Sequence, residues 1–596
     1  MPSLRRRSFA SKTGRSSLFP ALLLALGGCA DAGPWSFELT PIEPPEPWAD
    51  SSVGPTEDAA VDAAFGDDGS ADGGTSIDAG PSCVPTGNAD VPDDAFTDDD
   101  CDGVDGNAAK LVFVAPTGSD TAGAGTPESP FRTIGKGIAA AAARADGSGV
   151  AVSKGTYAEH VVLANGVSVY GGYDVATMWH RSGTNTTTIQ QASTSLQSGP
   201  NGFQYVEAVL ATGITTETIL DRFTIVAGDA ATAPSTSGVS IYGVRVASSM
   251  APTGTTGLRL RNLVVTAGKA SNGANGANGA TGEDGVKGND GQYPGDSASA
   301  VGLGGVATCG TGSPVNATRG GNGGRGGGDS LAGCGGAGDG TVGGAPFGDI
   351  SCTGGSAGGG AGFCSFSAGG DGGPGNSMCG QLVEFLSSDP PAAPTKSATT
   401  SGGLFVTTAG GTGSRGPHGT GGSGGGGSGA DSTSLGYSVG ASGSGGGSGG
   451  CGGYAGRGGQ GGGASVALLV VDTNGLVVEA SHFTSSAAGN GGRGGEGGAG
   501  GQGRLGGNFA SSSQGAKSGT GGQGRAGGYG APGGGGSGGS SVAQVLCNAT
   551  QITGVDATTG TAGTAGTRGF GGSNGAGGPV GMNGTASALL QSCTIP

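Results

Sequence analysis

Apolar residues along this chain come in short runs. Leu111-Val112-Phe113-Val114 is the first, followed by Val150–Ser153, His160–Leu163 and Val167–Tyr170. Lys154-Gly155-Thr156 and Ala164-Asn165-Gly166 separate the last three. Runs this short, bounded by turn residues, read as strands. Further runs lie at Ala208–Ala211, Thr218–Val226, Val239–Val246, Leu258–Thr266, Ser465–Val471, Leu476–Ala480, Val542–Leu546, Ile552–Val555 and Ala586–Leu590. Leu258-Arg259-Leu260-Arg261 alternates in the strand sense, with leucines inward and arginines outward. One segment differs. Thr133 is placed to N-cap a helix through Ile138 and the alanines 139–143, ending near Gly147. The strands are too short for a sandwich and suit the coils of an all-β parallel β-helix, a solenoid whose open end needs a cap.

A second pattern takes over after residue 271. Gly273, Gly276, Gly279, Gly282, Gly285, Gly288 and Gly291 share one phase, and residues 491–498 repeat Gly-Gly-x. A period of three is that of the polyproline II helix. Glycine at every third position lets such helices approach closely, so bundles of extended glycine-rich helices are expected, with plain random coil as the competing reading. Gly421–Gly429 loses the phase and is expected to be flexible. Of 596 residues 143 are glycine and only 28 proline, which excludes collagen.

Charge is equally segmented. The formal net charge is −17. Residues 30–109 carry acids and no Lys or Arg, and the remainder is close to neutral. Neither part has the basic excess of a nucleic-acid binder. Residues 29–82, low in hydrophobicity and charged with one sign, read as a disordered acidic stalk. Residues 83–109 form an Asp-rich cassette. Asp98, Asp100, Asp102 and Asp105 offer oxygen ligands in a tight loop, a pattern suited to Ca²⁺. Position twelve of that loop is Ala109, where an EF-hand carries Glu. The competing reading is a solvated acidic linker. Cys83 and Cys101 are placed to close the loop.

The first 28 residues read as a signal peptide, with Arg5-Arg6-Arg7 and Lys12 before a short apolar stretch, Ser17–Gly28. Leu26-Gly27-Gly28-Cys29 resembles the bacterial lipobox, which makes Cys29 the lipid attachment site. Ala30 points to the outer membrane or cell surface. Arg6-Arg7-Ser8-Phe9 resembles a twin-arginine export motif. Without Cys29 ten cysteines remain, an even number that favours disulfides in an exported chain. Zinc is the competing use, and no Cys-x-x-Cys pair supports it.

Residues 113–120, Ser129-Pro130-Phe131-Arg132-Thr133-Ile134, Gly155-Thr156-Tyr157 and 169–174 resemble the opening of pectin-lyase-like proteins. The resemblance implies a right-handed parallel β-helix capped by the alanine-rich helix. The glycine tracts resemble those of PGRS proteins, and the whole chain resembles exported glycine-rich lipoproteins of the myxobacterial kind. The expected fold is therefore an all-β right-handed solenoid over 110–271, with polyproline- or polyglycine-II-like tracts interleaved with strands over 272–596.

Relatives of that fold include polysaccharide lyases, hydrolases and esterases. Their chemistry needs clustered groups, such as paired carboxylates. Asp221-Arg222 with Asp229 nearby is the one acid–base pair within a strand-rich segment, and a surface salt bridge explains it. The motifs of the pectin-cleaving families are absent. Tyr173 and Trp179 are candidate sugar platforms, against the favoured reading that they pack the first coil on its following loop. Arg222, Arg245, Arg259 and Arg261 are a candidate polyanion face, against the favoured reading of a solvated face. The leading expectation is a non-catalytic, lipid-anchored surface scaffold for adhesion or envelope structure. Its expected partners are the membrane, extracellular polysaccharide or envelope components, and no nucleic acid. A carbohydrate-binding module and a polysaccharide-degrading enzyme are the alternatives.

Overall fold

The structure is a computed structural model. It describes residues 83–595, apart from 145, 231–237, 294–300, 311–316, 328–354, 358–370, 378–389, 434–435, 439, 513–514, 550–551, 553–555 and 572–575. The signal segment, Cys29 and the stalk lie outside the described residues, as do Cys334, Cys352, Cys364 and Cys379. Residues 81–596 group as one compact unit. The Asp-rich cassette, the strand-rich entrance and the glycine-rich body are thus packed together.

The apolar runs form three large parallel sheets. The first orders Leu111–Val114, Gly149–Ser153, Val169–Tyr173, Thr218–Asp221, Leu258–Arg261 and Val477–Glu479. The second orders Gly155–Tyr157, Thr187–Gln191, Thr224–Ala227, Val264–Ala267, His482–Ser485 and Asp556–Thr558. The third orders Val161–Leu163, Gln204–Thr212, Ser240–Ala247, Ser465–Thr473, Ser541–Ala549 and Ala586–Leu590. Gln197–Ser198 joins this third sheet as an antiparallel edge. The helix spans Ile134–Arg144, and the Thr133 hydroxyl accepts the Lys136 N–H at 3.3 Å.

The fold class expected from the sequence is corrected here. The structure has three parallel sheets and a helix, an α/β-like layered arrangement, in place of an all-β right-handed solenoid. Ile134, Ile138 and Ala141 of the helix share one core with Val112, Val150, Ile189, Val209, Leu220, Ile225 and Phe483 from all three sheets. Run lengths report where strands are. They do not report which strands pair, and Ser240–Ala247 pairs with Ser465–Thr473 across more than two hundred residues. Two runs are also split. Arg222 (φ 65°) and Asn262 (φ 53°) adopt the left-handed region, breaking 218–227 and 258–267 into strands of different sheets.

The glycine-rich segments form a second hydrogen-bonded body. Gly273, Gly276, Gly279, Gly282 and Gly285 donate to the carbonyls of Asn490, Arg493, Glu496, Ala499 and Gln502 at 2.7–2.8 Å. Gly492, Gly495, Gly498 and Gly501 donate to Gln460, Arg457, Tyr454 and Cys451 at 2.8 Å. Those four in turn donate to Ala274, Ala277, Ala280 and Glu283 at 2.8–2.9 Å. Three segments therefore bond in a closed cycle, two parallel and one antiparallel, with one bond per three residues. Segments 410–428, 519–539, 560–570 and 578–584 extend the lattice by the same rule.

Gly421–Gly429 lies inside this lattice, and its expected flexibility is corrected. Gly422 and Gly425 donate to Gly447 and Ser444 at 2.9 Å, and Ser423 and Ser428 are fully buried. The phase of three does run through it: 410, 413, 416, 419, 422 and 425 are all glycine. A Cβ on Gly450 would lie 1.9 Å from the Gly501 carbonyl oxygen, so the close approach requires glycine.

Candidate functional site

The Asp-rich cassette lies against the first sheet, where charged and aromatic groups concentrate. A disulfide joins Cys83 and Cys101. Asp98 accepts the N–H groups of Asp102 (3.0 Å) and Gly103 (2.9 Å). Asp100 accepts from the Asn107 side chain at 2.8 Å, and Asp102 from the Ala108 N–H at 2.7 Å. Short polar side chains bonding the local backbone are what fold so polar a segment.

Asp105 has a different role from the ligand expected of it. It is buried and pairs with Arg181 at 3.0 Å. Arg181, fully buried, also pairs with Asp221. The Tyr173 hydroxyl donates to the Asp105 carbonyl at 2.6 Å. Arg222 pairs with Asp94 at 2.7 Å and lies 4.8 Å from the Phe96 ring centre. Arg261 reaches both Asp221 and the Pro92 carbonyl at 3.0 Å. Burial pushes the Asp105 carboxyl up, against the neighbouring Arg181. Burial pushes Asp221 up as well, but bonds from Arg261, Arg181 and Asn262 outweigh it and hold its carboxyl below the ordinary range.

Asp90, Asp98 and Asp100 bring carboxylate oxygens within 4.8 Å of one another. One Asp90 oxygen accepts the Gly106 N–H at 2.9 Å, and the other is buried without a partner. Burial, with Asp100, Asp105 and Asp98 nearby, pushes the Asp90 carboxyl up to about 6. These three groups, rather than Asp98, Asp100, Asp102 and Asp105 together, are the described carboxylates able to share a hard cation. Asp90 was missed because it stands outside the alternating Asp motif.

Tyr173 and Trp179 pack inward, as the favoured reading has it, and the sugar-platform alternative is excluded. Tyr173 is fully buried and Trp179 is 3% exposed. Trp179 packs edge-on against Phe113 at 4.7 Å, and its indole N–H donates to the Pro127 carbonyl. The arginine ladder is neutralised: Arg245 pairs with Glu207, Arg259 with Glu479, Arg261 with Asp221 and Arg222 with Asp94. Asp221 and Arg222, adjacent in sequence, thus serve different partners. Glu207 also meets His160 Nε2 at 3.0 Å. Cys309–Cys451 and Cys547–Cys593 are two further disulfides among the described residues. His418 lies beside Cys309 and Cys451, but both sulfurs are committed to each other.

The chain matches no known family, no curated protein and no solved structure. Among the described residues no helix is long and apolar enough to cross a membrane.

Proposed function

We propose that this protein is an exported, surface-anchored scaffold whose working part is the glycine-rich body. The observation that carries this reading is the cyclic lattice of backbone hydrogen bonds, crosslinked by Cys309–Cys451. Such a body is stiff, chemically plain and suited to an oxidising environment. Cys29, by its resemblance to a lipobox cysteine, supplies the anchor. Surface labelling of intact cells with a membrane-impermeant reagent tests this. Labelling of wild type, with release of Cys29→Ser into the medium, is the expected result; a protein protected inside the cell would overturn it.

Calcium belongs to the same reading as a staple of the cassette. The buried, unpartnered oxygen of Asp90 favours it. Calcium titration by calorimetry should give one site that Asp98→Asn removes, and no heat at any concentration would sink it.

A further inference from the structure

A cleft of about 320 Å³ opens where the third sheet, an antiparallel hairpin of Ala398–Ser401 and Leu404–Thr407, and the glycine lattice meet. Pro200, Asn201 and Phe203 form one wall, and Thr399, Ser401, Val406, Thr407 and Ala409 of the hairpin another. Gln460 and Gly461 of the lattice close the third side. Its base is fixed. The Tyr242 hydroxyl donates to the Phe405 carbonyl at 2.7 Å and accepts the Phe405 N–H at 3.1 Å. Phe203 stacks on Tyr205 at 6.3 Å. The hairpin also pairs with the terminal strand Thr594–Ile595.

The lining chemistry is selective. It includes no charged side chain. Only Thr407 spends its hydroxyl, on the Gly462 carbonyl at 2.6 Å. The side-chain polar groups of Asn201, Thr399, Ser401 and Gln460 make no hydrogen bond among the described residues, whereas the Gln460 backbone is held by the lattice. Asn201 holds the left-handed region, φ 57° and ψ 25°, at the exposed rim. Residues in that region gather at binding sites.

Two amides and two hydroxyls both donate and accept. They stand beside Phe203, Val406, Pro200 and Ala409, which offer apolar surface. An anionic or cationic ligand would lose hydration here without a counter-charge. A purely aliphatic one would leave the four polar groups unpaired. An uncharged polyol with an apolar ring face satisfies both sets. The volume is at the small end of the roughly 300–1,000 Å³ range of ligand clefts, which suits one sugar ring. We propose that this cleft binds a single neutral sugar unit of a glycan. The proposal stands apart from the scaffold reading, since a surface protein can keep its lattice without this ligand.

The full chain should be screened on an array holding neutral glycans (glucans, mannans, galactans, N-acetylglucosamine oligomers) beside uronate polymers and peptides. Binding to a neutral glycan is expected, weakened about tenfold in Gln460→Ala by loss of one hydrogen bond. Asn201→Gly, which keeps the left-handed backbone, should weaken it similarly. Ser401→Trp, which fills the cleft, should abolish it, and Arg568→Ala, outside the cleft, should leave it unchanged. Circular dichroism identifies any variant that has not folded. The proposal is overturned if no neutral glycan binds, if uronates or peptides bind instead, or if folded Gln460→Ala and Asn201→Gly both bind as wild type does.

Discussion

The sheet body and the glycine lattice solve the same packing problem in opposite ways. In the sheets, side chains fill the interior: Phe223, Ile225, Leu260 and Phe483 have almost no exposed surface. In the lattice the backbone is the interior. Segment 442–463 is surrounded by other segments, and its buried positions are mostly glycine and serine. Hydrophobic burial holds the first together. The second relies on hydrogen bonds that close approach makes possible, against the large backbone entropy that glycine loses on folding. Removing atoms should therefore damage the sheets, and adding atoms should damage the lattice.

The largest effect is expected where the sheets bury charge. Asp221→Asn leaves Arg181 short of a buried partner and should destabilise by about 3–5 kcal/mol in chemical denaturation. It should also change the acid limb. Asp221 is held below the ordinary range, so its stabilisation is present above the unfolded carboxyl value and is lost as pH falls through the lower folded value. Asp221→Asn should flatten that loss, and an unchanged acid limb would remove the ion pair from the account.

Gly450→Ala comes next. The added Cβ meets the Gly501 carbonyl, and the expected cost is about 3 kcal/mol. The same change at Gly135, in the helix, meets only the Glu159 carboxylate at 3.4 Å and should stabilise by up to about 1 kcal/mol. Equal thermal shifts in the two variants would erase the contrast.

Removing the crosslink as Cys309→Ser with Cys451→Ser should cost about 2 kcal/mol or more, read as a lower melting temperature. The sheets should then unfold above the lattice; one unchanged transition would show that the lattice does not need the crosslink.

The smallest effect concerns the lattice edge. Asn272, Asn275 and Asn278 accept the N–H groups of Asn490, Arg493 and Glu496 at 2.8–2.9 Å. Asp284 and Asp290 do the same for Gln502 and Asn508. Here a side chain supplies the acceptor that a backbone carbonyl supplies elsewhere in the lattice. Asn275→Ala should cost about 1 kcal/mol and speed amide exchange at Arg493.

Much of this was legible in the sequence, for local reasons. Alternation marks Leu258–Arg261 as a strand, and the phase of three marks 273–291. The Asx ladder was also in view, since each of those residues immediately precedes an in-phase glycine, but its meaning depends on a neighbour some 218 residues away. Sheet pairing is invisible for the same reason, and it overturned the expected solenoid. The left-handed turns at Arg222 and Asn262 were missed because neither is glycine. Packing was the favoured reading for Tyr173 and Trp179, and both are buried in one cluster with Phe113.

Hydrogen exchange read by mass spectrometry tests the central claim most directly. Amides of 442–463 in the lattice should be protected about as strongly as those of Ser465–Thr473 in the third sheet, because both are bonded and buried. Exchange of 442–463 at the rate of an unstructured chain, with the sheet still protected, would contradict it.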